Sequence, residues 1–85
     1  MKKNISFSEE EMTNFHKSIG KNVSDLRKKN NLTQLDLAYM LGHKSSAFIS
    51  HAEINLYGKH FNIDHIYKIS KAFDVEIHEL IKISS

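Results

Sequence analysis

Six histidines, at positions 16, 43, 51, 60, 65 and 78, are the residues of this 85-residue chain best suited to acid–base or metal chemistry. They are scattered, with no HExxH pair, and no glycine-rich phosphate loop accompanies them. The absence of cysteine removes thiolate ligands and thiol nucleophiles. Zinc held by histidines with Glu53 or Asp64 is conceivable, but no ligand spacing selects it. Catalysis needs acid, base and nucleophile converging in a cleft, and a chain this small has little room for one. The expectation is no enzyme, no cofactor and no metal. A second group lies in "LGHKSSAFISHAE", residues 41–53. If a helix follows Ser45, Ile49 and Ala52 share one face and Ser46, Ala47, Ser50 and His51 are left on another. That face is small, polar and nearly uncharged. Such side chains can approach base edges without clashing. Phe48 has two destinations: a thymine methyl, or the core beside Tyr39.

These residues need elements to position them. Ser8 with Glu11 three residues on is a capping box, and Glu9 and Glu10 suit the positive end of a helix. Met12, Phe15, Ile19, Val23 and Leu26 then mark one helical stripe to about Lys29. Gly20 lies inside it, where glycine costs roughly 1 kcal/mol against alanine, so a break there is an alternative. Thr33 caps a short helix, Gln34 to Leu41, and Gly42 stops it. Ser45 is the next cap, for a helix from Ser46 to about Asn55. "NLYGKHF" is a connector turning at Gly58. Asn62 caps a fourth helix with the stripe Ile63, Ile66, Ile69, Ser70 and Phe73. Val75, Ile77, Leu80 and Ile81 form a last short one. No segment alternates long enough to argue a strand.

An apolar share of 40% and a charged share of 26% fit a single globular domain with one modest core. No run of 18 apolar residues is present to span a membrane, and "MKKNISFSEEE" lacks the apolar stretch of a signal peptide. Net charge is +2, unevenly placed. From Lys17 to Lys59 seven basic residues face three acidic ones, an excess of +4. That suggests a basic face on a nearly neutral body.

"TQLDLAYMLGHKSSAFISHAE" is thus helix, tight turn, helix, with Ala38 small where the helices cross and Gly42 tolerant of the turn's backbone angles. It resembles the helix-turn-helix of the phage-repressor and Cro-like (Xre-type) DNA-binding family. The resemblance rests on Arg27, "LTQLDLAYMLG" (32–42), Glu53 and "IYKISKAFDVEIHEL" (66–80), and covers about Gly20 to Ile81. Three departures stand out: one extra residue between Gly42 and Ile49, a connector from Glu53 to Ile63 about two residues longer than usual, and a recognition face without the arginine, glutamine or asparagine that often makes paired bonds to bases.

The resemblance implies an all-α, five-helix, lambda-repressor-like domain at 20–83, preceded by a helical extension at 1–19. It implies a cytoplasmic, sequence-specific transcriptional regulator, a repressor, that reads the major groove with helix 46–55. Ser46, Ala47, Phe48, Ser50 and His51 are its candidates for bases. Thr33 and Gln34 would hold the DNA backbone, the free amides at Thr33 facing a phosphate, with Lys44, Lys59 and His60 reaching further phosphates. Arg27 and Glu53 would meet as a partly buried ion pair bracing that helix. A homodimer is expected, with Leu56, Tyr57, Phe61, Ile77 and Ile81 as its seam. The other readings are an antitoxin that also binds a toxin, and a purely protein-binding module.

Overall fold

The computed structural model describes residues 5–83, and every regular element among them is helical. Ser8 starts α1 (Glu9–Lys29): its backbone is extended and its hydroxyl accepts the Glu11 N–H at 3.0 Å. Glu9, Glu10 and Glu11 occupy the positive end of the helix dipole, and Arg27, Lys28 and Lys29 the negative end. Gly20 does not interrupt α1. It lies buried where α1 crosses the third helix, and a Cβ there would stand 2.5 Å from the Glu53 carbonyl oxygen and 2.6 Å from that of Ala52. The glycine that reads as a liability in a helix is what lets the two backbones touch.

Asn31, left-handed at φ 58°, turns the chain out of α1. Then α2 (Gln34–Met40) begins with a full capping box: the Thr33 hydroxyl accepts the Asp36 N–H at 3.0 Å, and Asp36 Oδ2 accepts the Thr33 N–H at 2.9 Å. Gly42 makes the turn at φ +87°. The third helix, α3 (Ala47–Glu53), starts one residue later than expected. Ser45 takes no part in its cap. Ser46 precedes the first helical residue, but its backbone is already helical (φ −82°, ψ −3°) and its hydroxyl makes no capping bond. The longer turn is absorbed as bends over residues 44–46.

Beyond α3 comes a single 3-10 turn (Leu56–Gly58), and both Asn55, just before it, and Tyr57, within it, are left-handed at φ 56°. Asn62 and His65 build a second capping box for α4 (Ile63–Phe73), and α5 (Ile77–Ile81) closes the structure. The core joins Ile19 and Val23 of α1 to Leu37, Ala38, Leu41, Ile49, Ala52, Ile66, Ile69 and Leu80. Two expectations fail here. Phe61, assigned to a dimer seam, is 3% exposed and fills the core beneath the connector, whereas Leu56, Tyr57, Ile77 and Ile81 stay exposed. Ile63, assigned to the inner stripe of α4, faces solvent. Of the α1 stripe, Ile19 and Val23 are buried, Phe15 and Leu26 are half-buried and Met12 is exposed, so the helix meets the core through its middle.

Candidate nucleic-acid interface

The inner side of α3 is fastened first by charge. Arg27 Nε and Nη2 donate to the Glu53 carboxylate at 2.7 and 3.1 Å, and Nη1 donates to the Leu32 carbonyl at 2.7 Å. Both side chains are buried, at 9% and 4% exposure, deeper than the partial burial expected. Gln34 joins them, its Nε2 donating to Glu53 Oε1 at 2.9 Å. One carboxylate at the end of α3 thus ties together α1, α2 and the loop between them. A carboxylate so engaged is also removed from any metal set.

The first turn of α3 is fastened by rings. Phe48 does not belong to the outward face. It packs inward, stacked on His43 (centroids 5.0 Å apart, 14° between planes), edge-on to Phe61 at 5.7 Å, and against His65 at 4.9 Å. It folds toward the core, as one of its two expected destinations had it, but its neighbours are Phe61 and the two histidines, while Tyr39 remains exposed. No local sequence signal marks His65 as a neighbour, because it lies 17 residues beyond Phe48, and His43, five residues before it, is folded back onto the ring by the turn. The His65 amide donates to Asn62 Oδ1 at 2.8 Å, and its Nδ1 accepts the Asn62 N–H at 3.1 Å. An accepting Nδ1 carries no proton, which assigns the proton to Nε2, 3.4 Å from His43 Nε2.

Burial, then His43, then Lys68 hold His65 below its ordinary pKa of 6.5, with Asp64 opposing weakly. For a depressed histidine the unfolded chain binds more protons between the folded pKa and 6.5. Its stabilisation is therefore complete above that window and is lost as pH falls through the folded value. His16, depressed by burial and by His60, acts in the same window. Melting temperature is expected to fall as the pH drops below about 6.5, the unperturbed histidine value. His65→Gln, which keeps a capping-box acceptor, is expected to flatten that slope. Identical slopes in both proteins would refute this role.

With the inner side fixed, Ala47, Ser50 and His51 share the remaining face at helical spacing, the first exposed and the other two half-buried. Ala47 is exposed, and the Ser50 hydroxyl donates to the Ala47 carbonyl at 2.9 Å, leaving its lone pairs free. His51 meets the exposed Tyr57 ring edge-on at 5.4 Å, a neighbour that the connector's sequence did not announce. Ser46 lies at the start of the same helix. Of the flanking candidates, Lys44 and Lys59 are exposed. Thr33 offers its hydroxyl rather than its amide, because Asp36 takes the amide and is held charged, its pKa lowered by the backbone and side-chain bonds to Thr33. Gln34 is oriented by Glu53 and keeps a second amide proton. His60 is committed elsewhere: its ring stacks on His16 at 3.9 Å, and its Nδ1 lies 3.0 Å from the Gly58 carbonyl.

A helix-turn-helix family profile matches residues 23–80. No curated protein matches the chain. Among solved structures, the crystal structure of the restriction-modification controller protein C.AhdI from Aeromonas hydrophila is similar, with a TM-score of 0.63 and 26% identity over 78% of this chain and 94% of that one. With the crossed α2 and α3, the ion pair behind them and the polar face in front, the chain belongs to the Cro- and repressor-like helix-turn-helix family and is a DNA-binding transcriptional regulator.

Proposed function

We propose that this regulator is a sequence-specific repressor that lays α3 in the major groove of its operator. The observation that carries the reading is the division of α3: Phe48, Ile49, Ala52 and Glu53 are fastened inward, and a small polar face remains. Ser46, Ala47, Ser50 and His51 read bases. Ser50 acts as an acceptor for the exocyclic amine of adenine or cytosine, since its proton is already placed. Thr33, Gln34, Lys44 and Lys59 hold phosphates. One such face supplies little affinity, so the reading includes a cytoplasmic homodimer with Leu56, Tyr57, Ile77 and Ile81 at its seam. Two copies of α3 then meet half-sites about 34 Å apart. The controller role named for the Aeromonas hydrophila protein supports a regulator, and nothing in the fold favours a toxin partner.

Selection from random duplexes at fixed salt tests the reading, with footprinting to reveal paired half-sites. Lys44→Ala is expected to weaken all sequences alike and to flatten the salt slope by about 0.9. Ser50→Ala and His51→Ala are expected to narrow the gap between operator and random DNA, at the low end of about 1–3 kcal/mol per contact. If both spare specificity while Lys44→Ala abolishes it, the turn over residues 43–46, and not α3, faces the bases.

A further inference from the structure

We propose that the outer face of α1 is a pairing surface for a second copy of this chain, joined antiparallel and separate from the seam at Leu56, Tyr57, Ile77 and Ile81. An open groove of about 960 Å³ runs along this face from Phe7 to Ile83. Phe7 and Ile83 are 67% and 73% exposed. The C-terminal segment is held against α1 because Asn22 Nδ2 donates to the carbonyls of Leu80 and Lys82, at 2.9 and 2.8 Å. Between the two apolar ends lie Glu10, Asn14 and Lys17.

The charges choose the occupant. Glu10 and Lys17 are two helical turns apart on one edge of α1, about 10 Å along the axis and beyond each other's reach. Neither has an opposite charge three or four residues away, unlike Lys21, which pairs with Asp25 at 2.8 Å. The ion pairs among the described residues leave both out. A two-fold axis crossing α1 between Thr13 and Asn14 brings each Glu10 to Lys17 of the other copy and forms two ion pairs at once. The same operation carries Phe7 to the Lys21 stem and Ile83 of the second copy, filling the apolar end of its groove. A parallel arrangement would set Glu10 against Glu10, which is repulsive. The face is therefore self-complementary in one direction only, as an isologous contact requires.

The test uses the full chain in low salt, without DNA, with solution mass read by sedimentation or light scattering. Glu10→Lys and Lys17→Glu are each expected to halve the mass, because each sets two like pairs across the axis, while the helical circular-dichroism spectrum of the folded chain is kept. Their equimolar mixture is expected to restore the mass, since every cross-axis pair is again opposite in charge. Phe7→Asp is expected to halve it as well. A wild-type mass for either charge variant alone, or a mixture that fails to reassociate, overturns the proposal. Leu56, Tyr57, Ile77 and Ile81 are untouched throughout, so failure here leaves the DNA reading and its seam standing.

Discussion

Glu53→Ala is expected to destabilise the domain by about 3–5 kcal/mol, a fall in melting temperature of roughly 12 to 40 °C for a chain this size. The cost is not the worth of the ion pair, which desolvation largely offsets. It is the penalty of leaving the buried Arg27 guanidinium without its carboxylate, with only the Leu32 carbonyl to accept from it. Gln34 loses its acceptor too, so α1, α2 and α3 come apart at one point. Glu9→Ala removes a carboxylate from an exposed helix end and is expected to stay within about 0.5 kcal/mol of wild type. Replacing both partners, Arg27→Met with Glu53→Leu, is expected to recover most of the loss, since no buried charge is then stranded. Thermal unfolding followed by circular dichroism measures all three. Equal melting of Glu53→Ala and Glu9→Ala would remove the network from any role in stability.

Gly20→Ala is expected to destabilise by about 1–3 kcal/mol, the range for overpacking a well-filled interior. In an exposed helix interior the same change gains about 0.8–1.0 kcal/mol. The sign reverses here because the new methyl would sit 2.5–2.8 Å from backbone atoms of Ala52 and Glu53, which cannot rotate away. The remaining response is for α1 and α3 to separate, loosening Ile19 and Val23 from Ile49 and Ala52. Operator binding should weaken with it, since a reading helix displaced by about 1 Å loses productive geometry. Denaturant titration decides the point: a lower midpoint at unchanged slope is expected. A midpoint at or above wild type would mean that the crossing tolerates a side chain.

Much of the architecture was legible because its signals are local. Ser8, Thr33 and Asn62 each do cap a helix, and Gly42 does take a positive φ. Only Ser8's half of the expected box was needed to start α1. The ion pair was legible through the resemblance and not through any spacing, since Arg27 and Glu53 are 26 residues apart. What stayed hidden depends on neighbours distant in sequence. Gly20 has a purpose only once α3 lies across it. Phe48 sits at the edge of the inner face of α3, and Phe61 and His65, more than ten residues on, draw it inward. The start of α3 was misplaced because Ser45 is not its cap: Ser46 holds that place, without a capping bond from its hydroxyl. The polar face of α3 was legible as what the core left over: Ala47 is exposed and Ser50 and His51 are half-buried, while Phe48 packs inward.

Because α3 is clamped at its first turn by Phe48 and at its last by Glu53, positions 47, 50 and 51 carry little of the folding free energy. Exchanges there among good helix formers should stay within about 0.5 kcal/mol. Under the proposed reading, in which these positions face the bases, a gene duplicate drifts to a new target through near-neutral steps, with no intermediate that fails to fold. Crosstalk between paralogues would be lost by changing a few codons, while cap, turn and clamp pass on unaltered.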